Sequence, residues 1–118
     1  MDFGTYIKNK RMQKGIALRE LADRLKITPS YLSDIEKGRR YAPDQQKISE
    51  IANILEIVDE EELNIIYDLA GKSKDTVAPD LPGFINANEK IRVLLRKAKK
   101  ANPSPETLDK LIQMLDEE

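Results

Sequence analysis

Arg39 and Arg40 stand side by side just past a hydroxyl-rich stretch, Thr28-Pro29-Ser30-Tyr31-Leu32-Ser33-Asp34-Ile35-Glu36-Lys37-Gly38. Exposed guanidiniums in such a place are free to reach a phosphate backbone, whose oxygens they bind through paired N–H donors. The distribution of charge agrees. Residues 1–50 hold 11 Lys/Arg against 7 Asp/Glu, a net of +4, whereas residues 51–70 hold six acids (Glu56, Asp59, Glu60, Glu61, Glu62, Asp68) and no base. Residues 71–118 carry nine bases and eight acids, so the overall charge of −1 hides a basic N-terminal third. Such a separation is what binding a polyanion requires; an ordinary mixed surface is the alternative.

Other chemistry is poorly supplied. The chain contains neither cysteine nor histidine, which removes disulfides, thiolate nucleophiles, imidazole bases and the usual zinc ligands together. Glu60-Glu61-Glu62 fall at a helix start, where acids favour the helix dipole and point in different directions. No enzyme activity, cofactor or metal site is therefore expected. No apolar run approaches the ~20 residues that span a bilayer. Met1-Asp2-Phe3-Gly4 lacks the basic-then-apolar pattern of a secretory signal, so a reducing, cytoplasmic setting is expected.

The elements that position these residues are helices, since apolar residues recur at steps of three and four and no sustained β-branched alternation occurs. A first helix is expected over about 4–14, stopped by Gly15, and a second over about 18–25 with Leu18, Leu21, Ala22 and Leu25 on one stripe. Thr28-Pro29-Ser30 offers a hydroxyl cap and then proline at the first helical position, opening a third helix that Gly38 ends after Lys37. Pro43-Asp44 opens a fourth, about 45–57, carrying Ile48, Ile51, Ala52 and Leu55. Asp59 and Glu62 form a capping box for a fifth, about 60–70, closed by Gly71. Residues 72–80 read as a linker. Leu81–Lys100 is helical in pattern with a break near Asn86–Asn88, and Ser104-Pro105-Glu106 starts a last helix.

Two short helices separated by only a few residues must cross steeply, and small Ala22 allows close approach while Leu21, Leu25, Ile27, Leu32 and Ile35 fill the angle. The second of the pair is then narrow and free enough to enter a major groove. With Leu21-Ala22, Ser30-Tyr31-Leu32-Ser33 and Ile35-Glu36-Lys37-Gly38 in order, residues 3–71 resemble the lambda-repressor-like (XRE) family of helix-turn-helix regulators. The resemblance implies a five-helix, all-α domain, helix 3 in the major groove of double-stranded DNA, two protomers on a near-palindromic operator, and a bacterial or phage source. It places Pro29, Ser30, Ser33 and Asp34 at base edges, and Thr28, Tyr31, Lys37, Arg39 and Arg40 near phosphates. Asp34 is the odd member: it either accepts from a cytosine amine or is a plain helix-surface charge. Arg11 and Glu36 are implied as a largely buried ion pair tying helix 1 to helix 3. Three residues depart from the family pattern. Ala17 removes the hydroxyl that caps helix 2, Leu18 replaces a phosphate-holding glutamine, and Lys26 occupies a turn where glycine is common.

The division expected is a DNA-binding domain over 1–71, a linker over 72–80 and a helical tail over 81–118. The tail carries Ile91, Leu94 and Leu95 on one helix and Leu108, Leu111, Ile112 and Leu115 on the next, more apolar stripe than two isolated helices can hide. It is expected to pack on the body or on a second chain, with a homodimer preferred. Arg92, Arg96, Lys97, Lys99 and Lys100 allow a second phosphate-contacting strip as an alternative to a solvated face. A different function class stays open: an antitoxin-like or adaptor module whose tail holds a protein partner.

Overall fold

A computed structural model describes all 118 residues, and every regular element is a helix. In chain order these are α1 (Phe3–Gln13), α2 (Leu18–Leu25), α3 (Pro29–Glu36), α4 (Gln45–Ile54), α5 (Glu60–Ser73), α6 (Pro82–Ala87), α7 (Glu89–Ala101) and α8 (Pro105–Asp116). The chain forms two compact units, Met1–Pro82 and Gly83–Glu118. No helix is long and apolar enough to cross a membrane.

Five of the helices, α1, α3, α4, α5 and α8, start at side-chain caps. Carboxylates of Asp2, Asp44 and Asp59 accept from the backbone N–H groups of Thr5, Lys47 and Glu62, and the hydroxyls of Thr28 and Ser104 accept from those of Tyr31 and Thr107. Each satisfies one of the amides that a helix leaves without an internal partner. At α2 the position falls to Ala17, and no side chain caps it.

The ends of α1 to α5 share one geometry. A backbone N–H bonds to the carbonyl five residues back in Ile16–Arg11, Ile27–Ala22, Arg39–Asp34, Ile57–Ala52 and Thr76–Gly71. The residue before each donor is left-handed: Gly15, Lys26, Gly38, Glu56 and Asp75. This is the Schellman stop. It explains why α4 ends at Ile54, short of the expected 57: Glu56, at φ 56°, turns the chain out of the helix.

In the first unit α1 packs on α3 and α5, α2 on α3 and α4, and α4 on α5. The core they enclose is Phe3, Ile7, Leu21, Leu25, Leu32, Ile35, Ile48, Ile51, Leu55 and Ile66, all essentially without solvent contact. Gly4 lets α1 lie directly against the backbone of Ile35 and Glu36, where a Cβ would meet the Glu36 carbonyl carbon at 2.8 Å. Gly71 does not end α5, which runs on to Ser73. Its bare face instead receives the returning chain, since a Cβ there would lie 2.8 Å from both the Thr76 carbonyl oxygen and the Ala78 amide nitrogen. The stretch read as a linker thus begins inside α5 and turns back on it, burying Ala78.

In the second unit α6 and α7 are separated at Asn88, and α7 and α8 by the left-handed Asn102. Arg92 ties α7 to the end of α6, its guanidinium donating to the carbonyl of Asn86 at 2.6 Å and to that of Ile85 at 3.4 Å. No residue of α6, α7 or α8 is buried.

Candidate nucleic-acid interface

The turn between α2 and α3 is closed by Lys26, at φ 60° and ψ 40°, a conformation that costs a side-chain-bearing residue roughly 1–2 kcal/mol. The chain then enters α3 with Thr28 as cap and Pro29 as its first residue. Leu32 and Ile35 point into the core, which fixes the rotation of α3 and decides which residues face out. Thr28, Pro29 and Ser30 are exposed, and Tyr31, Ser33 and Asp34 half-exposed. The outward face therefore combines the four residues expected at base edges. The hydroxyl oxygen of Thr28 accepts from the Tyr31 amide at 3.1 Å, which fixes its position and leaves its O–H free to donate.

Past α3 the cations gather. Lys37, Arg39 and Arg40 are exposed. The Arg39 side chain lies 3.9 Å from the Asp34 carboxylate, and its backbone N–H bonds to the Asp34 carbonyl at 2.8 Å. Asp34 thus has an arginine neighbour on its own chain, a third environment beside the two that sequence left open. Arg40 sits over the ring of Tyr31, 5.7 Å from its centre, a cation–π arrangement. Leu18 is partly buried against the core and presents nothing that could hold a phosphate.

Behind this face Arg11 joins three elements. Its Nε donates to Oε2 of Glu36 at 2.8 Å, its Nη2 to Oε1 at 3.0 Å, and its Nη1 to the carbonyl of Ile16 at 2.9 Å. The pair is bidentate and well buried, with the two side chains 11% and 4% exposed. The hydrogen bond to Glu36 raises the Arg11 pKa above its ordinary value, against an opposing effect of burial. The cation is held, and with it the seating of α3 on α1.

The acidic block consumes other bases. Lys10 bonds to Glu62 at 3.2 Å and Lys14 to Glu56 at 2.9 Å, so α1 is neutralised along the side that meets α5 and the turn before it. The bond to Lys14 lowers the Glu56 carboxyl below its usual range. Tyr6 lies beneath Lys10, and burial raises its phenol pKa. In the second unit one nitrogen of Arg92, Nη1, is engaged by carbonyls, which holds this base of α7 toward the end of α6.

Two residues beside α3 were not singled out by sequence. Tyr31, Arg40, Tyr41, Ala42, Pro43, Asp44 and Lys74 line a groove of about 290 Å³. Tyr41 and Lys74 reach it only through the folding of the α3–α4 loop against the end of α5, so no local signal marks them.

Residues 7–63 match the family described as Helix-turn-helix. The chain is 38% identical over 63 residues to the ImmF control region 10 kDa protein of Bacillus phage phi105, covering 53% of this chain and 64% of that protein. It is 35% identical over 54 residues to the HTH-type transcriptional regulator SinR of Bacillus subtilis, covering 46% and 49%. Against the transcriptional regulator ClgR of Mycobacterium tuberculosis the identity is again 35%, covering 46% and 47%. The matched segments thus span from about half to just under two thirds of these curated relatives. Among solved structures, the SinR protein/SinI protein complex is similar at 23% identity and a TM-score of 0.48, covering 97% of this chain and 94% of that one. With α2 and α3 packed together over a shared core and the residues of α3 divided between that core and solvent, residues 7–63, just under half of the chain, are similar to the helix-turn-helix family whose model they match.

Proposed function

We propose that the protein is a DNA-binding transcriptional regulator, acting as a repressor, that places α3 in the major groove as a homodimer on a near-palindromic operator. The observation that carries this reading is the outward face of α3, rigidly set by Leu32, Ile35 and Glu36 behind it and followed at once by Lys37, Arg39 and Arg40. Pro29, Ser30, Ser33 and Asp34 read base edges. Thr28, Tyr31, Lys37, Arg39 and Arg40 position the helix on the backbone, which carries affinity but little sequence information. The regulator names of SinR and ClgR and the control-region name of the phage protein support the same class.

The second copy is held through the tail. Leu94, Leu95, Leu108, Leu111, Ile112 and Leu115 remain uncovered in a single chain, and Ile91 is half-covered. Charge favours a second copy as the cover: residues 89–101 carry six bases and one acid, and residues 105–118 carry five acids and one base, so α7 of one protomer attracts α8 of another. The same uncovered stripes support the alternative, an antitoxin-like or adaptor role in which the tail seats a different protein.

Selection of the full chain against a randomised duplex library, followed by salt titration of the enriched site, tests the proposal. Half-sites about one helical turn apart and a steep loss of affinity with salt are expected. Absence of any enriched sequence would overturn it in favour of the partner-binding role.

A further inference from the structure

The groove beside α3 is built from three places in the chain: Tyr31 of α3, Arg40–Asp44 of the loop that follows, and Lys74 at the end of α5. Its lining contains two cations, two phenols and one acid: Arg40, Lys74, Tyr31, Tyr41 and Asp44. Arg40 and Lys74 take no part in the ion pairs of the domain, which engage other residues. One oxygen of Asp44 accepts from the Lys47 amide at 2.9 Å and so is committed to the start of α4. Arg40 is kept over the Tyr31 ring. The two walls of the groove are also pinned together, because the backbone N–H of Ala42 donates to Oγ of Ser73 at 3.0 Å. That bond fixes the loop carrying Arg40 and Tyr41 one residue from Lys74. Both cations are exposed at its mouth.

We infer that this groove is a backbone-phosphate site, in which Lys74 from the end of α5 and Arg40 from the loop after α3 bracket one phosphodiester of the bound duplex, with the Tyr41 hydroxyl as a further donor. The inference rests on the proposed DNA reading and extends the footprint beyond the helix-turn-helix to a residue outside the segment that matches the family, 7–63. Two unpaired cations in a slot with phenol donors suit a singly charged oxygen cluster. They give no means of telling one base from another, so the site adds affinity without selectivity.

Its test uses the full chain on the enriched duplex and on a scrambled duplex of equal length. Neutralising one phosphate contact shortens the salt slope by about 0.9, which corresponds to about an eightfold loss at 0.1 M salt. Lys74→Gln is expected to show both, equally on the two duplexes, with unchanged helical circular dichroism. Lys72→Gln, an exposed lysine on the same helix end that does not line the groove, is expected to change the slope by less than half as much. Ethylation of one particular phosphate should block the wild type and cease to matter in Lys74→Gln. A Lys74→Gln titration that superimposes on the wild type, or equal losses from both lysine variants, overturns the site while leaving the DNA reading intact. Failure of the wild type to bind either duplex overturns both.

Discussion

At the scale of single residues, Lys26 and the Arg11–Glu36 pair show opposite relations between sequence and energy. Lys26 is held left-handed by the Ile27–Ala22 bond that ends α2, and its side chain makes no hydrogen bond that this geometry would serve. Lys26→Gly should therefore raise stability by about 0.5–1 kcal/mol, the relief of strain exceeding the added freedom of the unfolded chain. Urea denaturation measures it, and a loss of stability would contradict it. Glu36→Ala leaves the Arg11 guanidinium buried with only the Ile16 carbonyl, which should cost roughly 3–5 kcal/mol. DNA binding should fall with the melting temperature. Lost binding at unchanged melting temperature would mean that Glu36 acts on DNA directly. The Lys26 conformation and the Arg11–Glu36 pairing were both legible in the sequence through the family pattern. The Asp34–Arg39 approach was not, because it depends on how the chain turns after Gly38.

Among the elements, caps and stops explain most of what could be read and most of what could not. Thr28, Asp44, Asp59 and Ser104 are local signals, which sequence displays directly; the cap at Asp2 emerged only with the structure. Asp2 also predicts a pH effect. Its hydrogen bond from the Thr5 amide lowers its pKa below the ordinary carboxylate value, so its stabilising contribution is complete above about pH 4 and fades as pH falls through the lower folded value. Asp2→Asn, which keeps an amide oxygen for the cap, should flatten the acid side of the stability curve without changing it at pH 7. An unaltered acid limb would refute this. Glycine is harder to read because its absent side chain has several uses. Gly15 and Gly38 are stops, whereas Gly71 is a landing for residues 76–78 and Gly4 a point of helix contact. Gly4→Ala should cost about 1–3 kcal/mol by forcing α1 away from α3, and Gly71→Ala should loosen residues 76–78. Faster hydrogen exchange confined to that segment would show the second effect.

For the whole molecule, the division into 1–82 and 83–118 separates a unit with a complete core from one with none. Ending the chain after residue 82 should leave a cooperatively folding, monomeric domain whose affinity for a single half-site persists, while its affinity for the full operator drops. Sedimentation and duplex titration measure the two properties, and a dimeric 1–82 fragment would contradict the assignment of pairing to the tail. Sequence revealed that the tail is amphipathic but not what lies on it, since a stripe of leucines has the same pattern whether it meets its own chain or another.

The bare stripes of α7 and α8 have a consequence for how such a regulator responds to its surroundings. With no histidine or cysteine in the chain, protonation near neutrality and thiol oxidation offer it little leverage. Under the proposed pairing through the tail, a segment that gains its cover from another copy makes abundance the input instead. When the protein is dilute, halving its amount cuts the paired form about fourfold by mass action. Synthesis and degradation then set the threshold at which the regulated genes change state, and dilution at cell division becomes a signal in itself.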